Sequence, residues 1–270
     1  MWRILLERMK QGHRTGAYPD AEPVLPDRFR GRPTLDPTRC PDGCRACVEA
    51  CPTDAIAIAG KGLTLDLGRC LFCPECVSAC PEGAIGFTRD FRLAARGREE
   101  LVVGGDAPAR GRALDEKLVK LFGRSLKLRV VSAGGCNGCE SDVNVLGTIV
   151  FDLGRFGIQY VASPRHADGL LITGPVTANM RLALQKTYDA VPPPKIVIAV
   201  GACAISGGPY IGHDEVQNGA DGTVPVDLYI PGCPPHPYTI LDGLLALLDR
   251  LPKERLASAK SRRRSDREAR

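Results

Sequence analysis

No apolar run in this 270-residue sequence approaches the ~18 residues needed to cross a bilayer, so the sequence offers no transmembrane helix. The opening stretch MWRILLERMKQGHRTGAYP lacks the apolar core and small-residue cleavage site of a secretory leader, and the expected location is cytoplasmic. Net charge is nearly absent from the body of the chain. The formal total is +5, and the C-terminal stretch KERLASAKSRRRSDREAR alone carries eight Lys/Arg against three Asp/Glu, which accounts for it. A near-neutral body excludes the broad basic footprint of a nucleic-acid binder. The tail, residues 252–270, reads as a disordered, solvated terminus, with contact to anionic lipid or an acidic partner as the alternative.

Residues 1–29 read as an N-terminal helix and a lead-in. Trp2, Leu5, Leu6 and Met9 share one helical face, and Arg3, Arg8 and Lys10 fall largely on the other. Such a face packs on its own domain, or it docks on a membrane surface or a partner subunit.

Cysteine is abundant where so much else is sparse. Twelve cysteines without a leader suit a reducing compartment, in which disulfides are unusual and metal sites are favoured. Eight of them form an internal repeat of about thirty residues. CPDGCRACVEACP carries Cys40, Cys44, Cys47 and Cys51, and CLFCPECVSACP carries Cys70, Cys73, Cys76 and Cys80. The second run fits the C-x2-C-x2-C-x3-C-P spacing of bacterial ferredoxins, and the first has one extra residue before Cys44, so its opening loop must bulge. In that arrangement a tight loop gives three thiolates to a cubane cluster and the other repeat gives the fourth. The expected sets are Cys40, Cys44, Cys47 with Cys80, and Cys70, Cys73, Cys76 with Cys51. Pro52 and Pro81 turn the chain just after the crossed ligand. C-x2-C pairs also bind zinc, but zinc motifs do not run as four closely spaced cysteines, twice, each ending in Pro.

On these residues, 30–90 resembles a two-[4Fe-4S] ferredoxin domain. The segments RTGAYP and FRGRPTLDPTRC are similar to the lead-in of the ferredoxin-type subunit of complex I and its hydrogenase relatives. Residues 91–125 read as a surface linker, with a helix over ALDEKLVKLF that has Asp115 and Glu116 in its first turn.

From Leu126 the pattern changes to short β-branched runs (LKLRVVSA, FGIQYVAS, ADGLLITG, KIVIAVGA, VDLYIPG) that alternate with helical segments (ESDVNVLGTIVFDLGRF, VTANMRLALQKTYDAV, PYTILDGLLALLDRL). The expected fold is an α+β ferredoxin-like two-cluster domain followed by an α/β flavodoxin-like domain with a mainly parallel sheet, residues 126–251. Cys136, Cys139, Cys203 and Cys233 all fall just past strand ends, the edge where open α/β sheets bind ligands. They should gather there around a third cluster, with Gly134, Gly135, Gly138, Gly201 and Gly232 letting backbone N–H groups approach it. A flavin phosphate loop would need the same turn, so no FMN is expected. The competing reading of Cys203 and Cys233 as ordinary buried thiols fits poorly with their Gly/Pro loops.

The segments CNGC, GPVT, VGACAISGG and YIPGCPPHP are similar to the small, cluster-bearing subunit of the complex I and group 4 membrane-bound [NiFe]-hydrogenase superfamily, formate hydrogenlyase included. The C-x2-C form of Cys136 and Cys139, together with LLITGPVT, resembles the hydrogenase branch. The resemblance implies an electron-transfer subunit of a membrane-associated oxidoreductase, not catalytic on its own, with three [4Fe-4S] clusters. It implies a [NiFe]-bearing or complex I-type large subunit, membrane subunits, and a donor or acceptor protein at the ferredoxin domain. The chain itself would be peripheral on the inner face of the membrane. Alternatives are a complex I-like quinone reductase, a nickel-free relative, or a zinc-stabilised interaction module. Asp142 stands where the family usually has Glu, and it reads equally as a proton-route carboxylate or as an acid favoured by the helix dipole. Glu140 reads as the same kind of acid. Arg165 and His166 match a family loop near the cluster. His236 reads as an exposed loop residue or as a proton carrier.

Overall fold

The computed structural model describes residues 2–12, 14–59, 62–104 and 116–251. The expected tail at 252–270 and Asp115 lie outside the described residues.

Helix α1 (Trp2–Gln11) has no buried residue. It is followed by an irregular strap in which Tyr18 and Leu25 are buried. The first half is built from small pieces because its closely spaced cysteines and prolines leave no room for long elements. Strand β1 (Pro33–Leu35) leads to α2 (Ala46–Glu49), and β2 (Ile56–Ala59) and β3 (Gly62–Asp66) form an antiparallel hairpin. Then come α3 (Glu75–Ser78) and β4 (Ile85–Phe87), which returns antiparallel to β1. The sequence repeat is visible in space: each repeat is a cysteine loop, one four-residue helix and one strand.

Residues 91–104 are not the surface linker expected from composition. Phe91, Leu93, Ala94, Ala95, Leu101 and Val103 are buried, with Phe91 and Ala94 in one core and Leu93 and Ala95 in another. Strand β5 (Val102–Val103) pairs with β3, and Ala95 exchanges two backbone hydrogen bonds (3.0 and 2.8 Å) with Tyr229. Apolar side chains spaced along FRLAA therefore pin the segment between the two halves, and its Gly and Arg content had concealed this. The helix expected near ALDEKLVKLF is α4 (Glu116–Phe122).

The second half is a five-stranded sheet, parallel throughout: β6 (Leu126–Ser132), β7 (Ile158–Tyr160), β8 (Gly169–Thr173), β9 (Ile196–Val200) and β10 (Leu228–Ile230), in the order β10-β9-β8-β6-β7. Helices α5 (Gly138–Val145), α6 (Ala178–Ala190), α7 (Ala202–Ser206) and α8 (Pro237–Leu247) connect or follow them. Helix α5 is half the length of the expected segment, because Gly147 and the β-branched Thr148, Ile149 and Val150 that follow disfavour helix. Strand β8 is buried along its whole length, sending Leu171 into the core beneath α8 and Leu170 and Ile172 into the core with Leu184 of α6. Both faces are thus covered, as a parallel sheet requires.

Leu171→Ala should cost about 2–5 kcal/mol, the usual penalty for a cavity at a closed core site. Leu182→Ala, on the exposed side of α6, should stay within about 0.5 kcal/mol. Denaturant melts followed by far-UV circular dichroism separate the two, and equal effects would contradict the layer assignment.

Candidate iron–sulfur sites

The first cysteine loop opens on a 3-10 turn at Pro37–Arg39, where the Asp36 carboxylate accepts from the Thr38 amide (3.1 Å) and hydroxyl (2.6 Å). The extra residue before Cys44 is taken up by a turn in which Gly43 has φ 75°. Cys47 then enters α2, as Cys76 enters α3, and both are buried. The fourth cysteine of each run lies just past its helix, and there the repeats match atom for atom. The Ala55 amide donates to Cys51 Sγ (3.3 Å) and the Ala84 amide to Cys80 Sγ (3.2 Å).

The structure gathers the thiols in three groups. Cys40 and Cys47 each lie within electrostatic reach of Cys44 and Cys80. Cys70 and Cys76 lie within reach of Cys51 and Cys73. Cys139 and Cys203 lie within reach of Cys136 and Cys233. All twelve thiols are free of disulfides. Burial is the main cause, with neighbouring thiols adding to it, that pushes Cys70 up to about 12, Cys76 to about 11 and Cys203 to about 12. Cys139 is raised for the same reasons. Thiols held so high keep their protons near neutral pH unless a cationic centre takes the proton's place. Thiols gathered four at a time suit a four-iron cubane, which takes four thiolate ligands. Backbone N–H donors at Cys51, Cys70 and Cys80 would offset the negative charge such a body carries. The donor set therefore fits iron–sulfur clusters.

The third group sits at the carboxyl edge of the sheet. Cys136 and Cys139 follow β6, Cys203 lies in α7 after β9, and Cys233 follows β10. Gly201 lets these loops close. At φ 92° it has no room for a side chain, since a Cβ there would lie 2.4 Å from Cys139 Sγ. Glu140 differs from the surface acid expected of a helix start. It is 7% exposed and accepts from Ser132 Oγ (2.6 Å) and Thr173 Oγ1 (2.8 Å). Burial alone would raise its pKa, but those two hydroxyls hold it below the usual glutamate value. It ties the ends of β6 and β8 together beneath the thiols. The clue in the sequence is a hydroxyl residue ending each of the two strands, Ser132 after Val130 and Val131 and Thr173 after Ile172.

Asp142 is partly buried, which raises its pKa, and it lines a cavity of about 290 Å3 together with Cys233 and His236. His236 is a helix cap and not an exposed loop residue. Its Nδ1 accepts from the Tyr238 amide (3.2 Å), its ring stacks on Tyr238, and burial lowers its pKa, which favours the neutral imidazole. Arg165 and His166 are not brought to the thiols. Both are exposed, in a 3-10 turn that feeds the amino end of β8, whose five residues place its cysteine-bearing edge roughly 15 Å farther on.

Residues 136–247 match the family model for the NADH ubiquinone oxidoreductase 20 kDa subunit, and residues 26–84 match that for a 4Fe-4S dicluster domain. The chain is 42% identical, over 51% of its length and 82% of the relative's, to a probable membrane-bound hydrogenase subunit, mbhJ, of Pyrococcus furiosus. It is 46% identical to formate hydrogenlyase subunit 7 of Escherichia coli, over 53% of this chain and 56% of that one. It is 44% identical to a subunit of the NADH-quinone oxidoreductase of Clostridium beijerinckii, over 43% of this chain and 70% of that one.

Gly201→Ala forces a methyl group onto Cys139 Sγ and should remove about four iron atoms per chain, one cubane's worth. The signals of the first eight cysteines should survive, and iron analysis with electron paramagnetic resonance (EPR) checks both.

Proposed function

The chain belongs to the NADH ubiquinone oxidoreductase 20 kDa subunit family, and from that premise we propose that it is the electron relay of a hydrogenase-type membrane complex, carrying three [4Fe-4S] clusters. It is an oxidoreductase subunit with iron–sulfur electron-transfer domains. The proposed ligands are Cys40, Cys44, Cys47 and Cys80 for the first cluster, Cys51, Cys70, Cys73 and Cys76 for the second, and Cys136, Cys139, Cys203 and Cys233 for the third. When bound, such clusters pass single electrons without making or breaking bonds in the protein.

One observation carries the reading: Cys233 of the third group lies within electrostatic reach of Cys73 of the second. It supports a relay that runs from the first group through the second to the third. The sheet order, counted in the chain as 2-1-3-4-5, supports reading residues 126–251 as flavodoxin-like, with thiols where a flavin phosphate would otherwise sit. The two crossed cysteine runs likewise support a two-cluster ferredoxin-like first half. A large partner carrying [NiFe] would take the electrons at the third group, and a donor or acceptor protein would meet the first. The similarity to a NADH-quinone oxidoreductase component favours a second reading, in which the relay is the same and its far end is quinone-linked or nickel-free.

Membrane association is a property of the relatives' complexes, and α1 suggests how this chain takes part. Trp2, Leu5, Leu6 and Met9 form one exposed apolar face, flanked by Arg3, Arg8 and Lys10. None of it is buried on its own domain, and an apolar stripe bordered by basic residues suits the headgroup region of an anionic membrane face.

The complex purified anaerobically should hold roughly 12 iron atoms per copy of this chain. About one nickel alongside supports the hydrogenase end, the same iron without nickel supports the second reading, and zinc in place of iron refutes both. Trp2 is the one tryptophan in the sequence, so its emission reports on α1 alone. It should shift to the blue on phosphatidylglycerol vesicles and not after Leu5→Glu. Arg8→Gln should weaken vesicle binding about fivefold, from ~1 kcal/mol per basic residue.

A further inference from the structure

The 290 Å3 cavity beside Cys233 is bounded on one side by Arg28 and Arg30 of the lead-in and on another by Phe72 of the second cysteine loop. Arg30 reaches across it, and its Nε–H donates to the Phe72 carbonyl at 2.6 Å. Phe72 also donates its own amide N–H to Cys70 Sγ at 3.3 Å. It does so with φ 54°, a left-handed conformation that is costly for a bulky side chain and persists only when its surroundings hold it. The ring is held by burial against Phe87, with centroids 6.3 Å apart, and the carbonyl is held by Arg30. That carbonyl belongs to the peptide that runs directly into Cys73, and Phe72 lines the same cavity as Cys233.

We propose that Arg30 is the positioning residue of the second cysteine loop where it meets the third group, fixing the Phe72–Cys73 peptide and holding a permanent positive charge at the cavity that Phe72 and Cys233 both line. The proposal rests on the cluster reading given above. A guanidinium stays charged at any working pH, and its planar fork keeps it where its hydrogen bond points. A cluster gains one negative charge on reduction, so a fixed cation bonded to the second group's loop favours the reduced form of the cluster held there. The redox step is a one-electron exchange: one cluster is oxidised as its neighbour is reduced, and no further oxidant or reductant enters. Arg30 is exposed to solvent, so ionic screening limits the effect.

The test is an EPR-monitored redox titration of the intact complex carrying the wild-type chain, Arg30→Gln, Arg30→Lys or Arg28→Gln. Arg30→Gln should lower the reduced-to-oxidised ratio of the second cluster about three- to tenfold at a fixed potential, up to ~59 mV for one electron, with iron content unchanged. Arg30→Lys should stay near the wild-type potential because the charge remains. Arg28→Gln, in the same cavity, should move it less. Unmoved potentials in Arg30→Gln, or an equal shift in Arg28→Gln, would overturn the proposal. If Arg30→Gln loses iron from this site, Arg30→Lys decides: retained iron at the wild-type potential supports the role, and lost iron or a lowered potential overturns it. A wild-type chain without separate signals from its first eight cysteines would defeat the cluster reading itself, a result distinct from clusters that are present and indifferent to Arg30.

Discussion

Crowding thiols together, four of them buried, is the constraint on which the rest of this molecule depends. A buried thiolate loses its hydration, and each neighbouring thiolate adds repulsion, so burial favours protonated sulfur at Cys70, Cys139 and Cys203. Only a densely charged centre makes such groups worth assembling, and only a stiff scaffold keeps them assembled before it arrives. The scaffold works in two ways. In the first half, tight loops and four-residue helices present three thiols from one stretch and borrow the fourth from the repeat. In the second, a parallel sheet with both faces covered aligns the ends of β6, β9 and β10, and the thiols follow from that alignment.

A relay also needs its stations at fixed separations, because electron transfer weakens steeply with distance. The two halves are accordingly welded and not tethered. Arg98 clamps Asp66 of β3 through two hydrogen bonds (2.8 and 2.6 Å), and Ala95 in the same segment pairs with β10. Ser206 donates to the Gly68 carbonyl across the interface (2.9 Å). The lead-in closes the far side. The Tyr18 hydroxyl donates to the buried Asp242 of α8 (2.5 Å), and Arg155 donates to the carbonyls of Gly16 (2.8 Å) and Tyr18 (2.7 Å). A core cluster shared by Leu67, Leu93, Leu101, Ile205 and Tyr229 fills the space between. Each bond is modest by itself, but together they leave the cysteine loops little freedom to drift.

The chemistry was legible in the linear sequence because iron–sulfur ligation is written in spacing. Thiols three and four residues apart can wrap one cube only in certain ways, and the repeat of that spacing points to the crossed fourth ligand. The second half was legible for a different reason: strand ends in a parallel sheet must share an edge, so Cys136, Cys203 and Cys233 could be placed together although about a hundred residues separate the first from the last. Local signals failed where a residue's meaning lay in a distant partner. Glu140 looks like any acid at a helix start until Ser132 and Thr173 are seen to enclose it. His236 looks exposed until Phe29 and Tyr238 are seen to cover it. Residues 91–104 look like a linker until they are found between two cores.

Sequence by itself thus determined the cysteine spacing, its repeat, and the alternation of strand and helix, since each depends on neighbours a few residues away. The tertiary structure alone decided that Arg165 and His166 stand apart from the thiols, that Cys73 comes within electrostatic reach of Cys233, and that Arg30 bonds the peptide leading into Cys73. The last two depend on how two separately patterned halves are turned against each other. That orientation is set by packing summed over many weak contacts, and no short stretch of sequence encodes it.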